Sequence, residues 1–284
     1  MPIKPNFYVI GAAKAASSSI CTLLGMHPDV FMVDCKEPCF FNEDSNYLRR
    51  GWPWYESLYE GSESCLRRGE GSNNYSMKEV WPNTAERIAE ATPDAKLIYV
   101  VRHPLRRIES WWMQKLANGD RDVHPNFSRS VLEYPDIFIE SSDYRSQLAP
   151  YRERFAEEQI KIVFFEDFRN DQSESIKQLL SFLDVNADVP DCDQELHLNV
   201  SEGKLVFDSK LILLRRAQWL APAKRLLPDG WKQSIAERFF RRRMSERPVW
   251  DPDVKQLVTK RLRDSSERLC RDCGKPEDFW GWDE

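Results

Sequence analysis

The stretch from Phe7 to Val30, FYVIGAAKAASSSICTLLGMHPDV, decides the fold. Phe7–Ile10 is a short apolar run of the kind a buried strand needs, and the spacing predicts a helix over Ser17–Met26. The turn between them carries Gly11, Lys14 and the successive serines Ser17, Ser18 and Ser19. Backbone N–H groups at a helix start favour an anion, and a lysine with hydroxyls adds charge-assisted hydrogen bonds. A nucleoside-triphosphate loop, G-x-x-x-x-G-K-[ST], places its Lys directly before the Mg²⁺-binding hydroxyl. Here Lys14 comes three residues after Gly11 and position 16 is Ala, so the loop suits a phosphate but lacks the parts that hold Mg²⁺-ATP.

Working outward, Lys96–Trp112, KLIYVVRHPLRRIESWW, repeats the pattern. Leu97–Val101 reads as a second buried strand, and Pro104 suits the first turn of the helix that follows. Arg102 then falls at the carboxyl end of its strand, where open α/β sheets bind ligands, with Ser110 eight residues on. Between the two motifs, VFMVDCKEPCFF ends in Lys36-Glu37-Pro38-Cys39-Phe40-Phe41.

The spacing G-x-x-K-x-x-[ST]-[ST] resembles that of sulfotransferases using 3′-phosphoadenosine 5′-phosphosulfate. The K-E-x-x-F-F segment is similar to that of bacterial members and of the heparan sulfate N- and 3-O-sulfotransferases. That resemblance implies an α/β domain, a three-layer P-loop-like fold whose mainly parallel central sheet is flanked by helices. It implies 3′-phosphoadenosine 5′-phosphosulfate as sulfuryl donor, with no metal, and a hydroxyl or amine acceptor, carbohydrate or otherwise glycan- or lipid-linked. Lys14, Ala15, Ala16, Ser17, Ser18 and Ser19 would hold the 5′-phosphate, Arg102 and Ser110 the 3′-phosphate. Lys14 would meet the charge of the leaving phosphate and Glu37 would be the general base, no histidine lying in the segment where other members carry one.

Two departures qualify the match. Glu70-Gly71-Ser72-Asn73-Asn74-Tyr75 resembles E-K-[ST]-x-x-Y, with Gly71 where the family has Lys; Lys36 is the nearest replacement in sequence. Asn199–Lys204 resembles the loop that closes over the nucleotide, but reads Glu202-Gly203-Lys204 where Lys-Gly is common, so Gly203 and Lys204 are its cofactor-binding candidates. Two other classes stay open at this point: a P-loop kinase or NTPase, against which the displaced Lys14 counts, and a catalytically silent binder of nucleotide or glycan.

Tyr144–Leu183 continues the resemblance with a helix over Ser146–Phe155, a strand over Ile160–Phe165 and a Phe165–Phe168 turn. Asp251–Trp282 reads as a long amphipathic helix closing on tryptophan. The 284 residues, 41% hydrophobic, suffice for one sulfotransferase domain over 1–284, with 42–71 and 112–145 as acceptor-side insertions. The first insertion is rich in Tyr and Trp, which suits either sugar stacking or a satellite core. No apolar run approaches the roughly 20 residues of a membrane span, and the expectation is a soluble, cytoplasmic protein of bacterial type. Seven cysteines suit reduced thiols, and Cys270-x-x-Cys273 is read as structural. The net charge of −5, despite the basic stretch Arg215–Arg247, argues against a nucleic-acid partner. Oligomeric state is not legible.

Overall fold

The computed structural model describes residues 3–34, 37–186, 205–207, 241–243 and 247–282. Its centre is a five-stranded sheet of β1 (Phe7–Gly11), β2 (Val30–Met32), β3 (Arg67–Gly71), β4 (Lys96–Val101) and β5 (Ile160–Phe164), ordered β2-β3-β1-β4-β5. Every neighbouring pair is parallel. A parallel sheet needs cover on both faces, which is why its central strands read as continuous apolar runs. All of β1 and all of β4 beyond Lys96 are buried. This is the α/β, P-loop-like architecture that the two strand–turn–helix motifs predict.

The helices are α1 (Ser17–Leu24), α2 (Gly51–Ser57), α3 (Thr84–Ala91), α4 (Pro104–Asn118), α5 (Phe127–Glu133), α6 (Pro135–Phe138), α7 (Tyr144–Arg152), α8 (Phe165–Asn170), α9 (Gln172–Phe182) and α10 (Pro252–Asp272). An antiparallel pair, β6 (Leu205–Phe207) and β7 (Arg241–Arg243), lies against α4 through β6. No helix among the described residues is long and apolar enough to cross a membrane.

Boundaries moved for local reasons. Helix α1 stops at Leu24, two residues short of the expected end, because the Gly25 amide closes the last turn on the Cys21 carbonyl and Pro28 follows. Helix α7 starts early, at Tyr144, because the Asp143 carboxylate accepts from the Ser146 amide as its N-cap. The strand predicted through Phe165 ends at Phe164, and the expected turn is the first turn of α8.

The stretch 42–71 ends in β3, a central strand with no apolar or β-branched residue. Its placement follows from its neighbours: a Cβ at Gly69 would lie 2.2 Å from Cζ of Phe7, so the missing side chain is what admits that ring. The aromatic residues before it pack inward. Tyr55 and Tyr59 are fully buried, Phe40 stacks on Tyr55 at 4.0 Å, and Lys4 covers the Trp52 ring. Packing therefore accounts for those rings.

Two hydrophobic clusters form the interior. One surrounds the sheet; the other joins α4, α5, α6 and α10 around Ile108, Trp112, Phe127 and Phe138. Helix α10 belongs to both, giving Leu269 and Cys270 to the first and Val258 and Leu262 to the second. Burial pushes the Cys270 thiol up to about 12, so it behaves as a core side chain.

Candidate active site

In this strand order the chain reverses direction across the sheet between β1 and β4, and the loops leaving those two carboxyl ends meet in one crevice. Gly11 ends β1 with φ +137°, and a Cβ there would lie 2.3 Å from Oγ of Ser76 and 2.9 Å from the Asn73 carbonyl oxygen. Only glycine fits. Lys14 and Ala16 both hold left-handed backbone, at φ 70° and 73°, which costs L-residues about 1–2 kcal/mol each. Three bonds from the β4–α4 side offset that cost. The Ala12 amide donates to the Val100 carbonyl at 2.8 Å, Nε of Arg107 to the Ala13 carbonyl at 3.0 Å, and Nη1 of Arg102 to the Lys14 carbonyl at 3.1 Å.

Ala16 is the N-cap of α1 and supplies no side-chain cap, and the first helical bond runs from the Ile20 amide to the Ala16 carbonyl. The amides of Ser17, Ser18 and Ser19 thus precede the helical ladder, the arrangement that receives an oxyanion. The serines themselves differ. Ser18 is exposed and Ser19 half-buried, whereas Ser17 is buried and donates through Oγ to Oδ1 of Asn73 at 2.5 Å.

Lys14 reaches α4: its Nζ donates to Oε1 of Gln114 at 3.3 Å. Gln114 stands one turn beyond Ser110 on the same helical face, so Lys14, Arg102 and the Ser110 face of α4 converge. Ser110 itself is buried. The Arg102 guanidinium lies 4.3 Å above the Phe165 ring, and the Tyr144 hydroxyl donates to its carbonyl at 2.6 Å. Burial lowers the Arg102 pKa, opposed by the nearby Glu166 carboxylate. The start of α4 is capped by Nδ1 of His103, which accepts from the Leu105 amide at 3.2 Å.

Arg107 is fully buried, and its partners are neutral oxygens: the Ala13 carbonyl and the hydroxyls of Ser141 and Ser142. Burial lowers its pKa. Sequence reasoning passed over it, although a charge set between the core residues Leu105 and Ile108 is the signal that could have found it.

Glu37 sits half-buried at φ 54°, five residues past β2. Its loop is hung from the segment 70–75 by a repeated device. Glu70, fully buried, accepts from the hydroxyls of Tyr55 and Tyr75 at Oε1 and of Ser72 at Oε2, each at 2.6 Å. With those protons committed to the carboxylate, the lone pairs of Ser72 and Tyr75 face outward. They accept the amides of Cys39 at 3.0 Å and Phe41 at 3.3 Å. Burial raises the Glu70 pKa, and the three hydroxyls oppose it. Nδ2 of Asn73 donates to Oε1 of Glu37 at 2.8 Å. The structure therefore joins Lys14, Arg102 and the α4 face that bears Ser110 by direct contacts, and links Glu37 to Ser17 at the start of α1 through Asn73. The candidates Lys36, Gly203 and Lys204, with Glu202 and most of the basic stretch, lie outside the described residues.

Residues 4–206 match the family described as the sulfotransferase domain, and the chain belongs to it. It is 24% identical over 220 residues to the bifunctional heparan sulfate N-deacetylase/N-sulfotransferase 1 of Caenorhabditis briggsae, covering 70% of this chain and 24% of that protein. It is 27% identical over 207 residues to the heparan sulfate glucosamine 3-O-sulfotransferase 3B1 of Mus musculus, covering 70% of this chain and 50% of that one. The chain thus spans half or less of the length of these relatives. A sulfotransferase from Alicyclobacillus acidocaldarius shares the fold with a TM-score of 0.67 at 22% identity, over 98% of this chain and 99% of that one.

Proposed function

We propose that this chain transfers a sulfuryl group from 3′-phosphoadenosine 5′-phosphosulfate to a hydroxyl or amine of a glycan acceptor. The observation that carries the reading is the crevice between β1 and β4. There an uncapped helix start follows the Lys14 loop, Arg102 holds the Lys14 carbonyl, the Lys14 ammonium reaches α4, and the Glu37 carboxylate is tied to the helix start through Asn73. The amides of Ser17–Ser19 with Ser18 and Ser19 hold the 5′-phosphate, and Arg102 with Ser110 holds the 3′-phosphate. Glu37 takes the acceptor proton while the acceptor oxygen or nitrogen bonds to sulfur and the bond from sulfur to the phosphate oxygen breaks. Lys14 meets the charge left on that phosphate, which is where electrostatic stabilisation has most effect. The glycan acceptor rests on the names of the heparan sulfate relatives.

Calorimetry tests the donor assignment. Adenosine 3′,5′-bisphosphate binds more tightly than adenosine 5′-monophosphate by about 10²-fold or more, since charge-assisted bonds contribute about 1.5–3 kcal/mol each. The difference collapses in Arg102→Ala. Equal affinity for the two nucleotides overturns the reading, and transfer of radiolabelled sulfate to a panel of oligosaccharides tests the acceptor class.

A further inference from the structure

Glu37 and Ser17 come from different loops, and one side chain joins them. Asn73 opens a single 3₁₀ turn, Asn73–Ser76, immediately after β3 and packs its backbone against Gly11. Its amide spends both ends: Oδ1 accepts from Oγ of Ser17 at 2.5 Å and Nδ2 donates to Oε1 of Glu37 at 2.8 Å. The orientation is not interchangeable, because a flipped amide would set its carbonyl oxygen against the carboxylate. The Glu37 backbone stands at φ 54° and that of Cys39 at φ 51°. Such backbone persists only where its surroundings over-determine it. Beyond Asn73, those surroundings are the Ser72 hydroxyl on the Cys39 amide and Nδ2 of Asn46, which donates to the Pro38 carbonyl at 3.0 Å. With the Tyr75 hydroxyl on the Phe41 amide, these two fix the loop. Asn73 alone among them touches the carboxylate.

We propose that Asn73 is a positioning residue that orients the Glu37 carboxylate from the donor cradle, using Ser17 as its fixed point. The inference rests on the reading of Glu37 as the base. Its physical content is that the amide donor holds one oxygen of the carboxylate, leaving Oε2 as the oxygen for the acceptor proton.

The test is a double-variant cycle with Glu37→Gln. Turnover of Asn73→Ala, read as bisphosphate released with an oligosaccharide panel, falls about 10–100-fold. Affinity for adenosine 3′,5′-bisphosphate stays within about threefold, because a positioning role leaves uniform binding alone. In the Glu37→Gln background Asn73→Ala brings no further loss of turnover, since its side chain acts only through Glu37. Unchanged turnover in Asn73→Ala, or an equal further loss in the double variant, overturns the proposal. If Glu37→Gln keeps its turnover, the base reading fails; if Glu37→Gln is inactive and Asn73→Ala is not, the base stands and Asn73 is a packing residue.

Discussion

Lys14 occupies left-handed backbone with its carbonyl held by Arg102, so the loop rather than the side chain's own rotamers directs the ammonium toward α4. In the proposed reaction, a group aimed in this way meets charge that appears only as the sulfur–oxygen bond breaks. Lys14→Ala is therefore expected to lower kcat by about 10²–10³-fold while raising the donor KM by less than about tenfold. Steady-state kinetics with donor varied at fixed acceptor separates the two; a variant whose KM alone rises would make Lys14 a simple anchor. The serines carry the opposite lesson. Three adjacent hydroxyls look equivalent in sequence, but only the fold reveals that Ser17 is turned away to Asn73.

Helix α4 begins on a histidine cap, and that cap makes the element sensitive to acid. Burial holds the His103 ring down at about 4, with Arg106 beside it acting in the same direction. The unfolded ring gains its proton near pH 6.5, so between about 6.5 and 4 the unfolded chain binds the extra proton and folding stability falls with pH. The loss is on the order of 2–3 kcal/mol at the bottom of that window. His103→Asn keeps a capping acceptor and removes the titration, so urea unfolding at several pH values is expected to give a flatter profile for the variant. An unchanged slope would place the acid sensitivity elsewhere. The β1–α1 and β4–α4 units were legible in sequence because each joins an apolar run to a helix start, with its candidate binding residues at fixed offsets. Strand β3 was not, because its residues are chosen by what they leave room for: Gly69 for Phe7, Gly71 for the sulfur of Cys21. The partners of Glu70 and Arg107 were hidden for a related reason. Their satisfaction depends on hydroxyls at Tyr55, Ser141 and Ser142 that no local pattern connects to them.

At the scale of the molecule, α10 holds the sheet core and the α4 core together. Leu262→Ala and Leu269→Ala each remove a buried leucine, from different cores, and each is expected to cost about 2–5 kcal/mol. Because one rigid helix serves both, thermal unfolding stays a single transition in either variant; two separated transitions in calorimetry would show that the cores unfold independently. Beyond α10 the chain turns back onto the start of α4 and the first turn of α8. Nε1 of Trp280 donates to Oε2 of Glu166 at 3.1 Å, Oε1 of that carboxylate accepts the His103 amide at 3.0 Å, and the Trp282 ring lies 5.2 Å from that of His103. During translation the ribosome delivers β1 to β5 well before residues 250–282. Until that tail emerges, Phe164, Leu105 and His103 lack the tryptophans that cover them. The nascent protein therefore passes through a stage in which its β1–α1 and β4–α4 loops exist beside an uncovered apolar wall, and that interval is when a chaperone has most to protect.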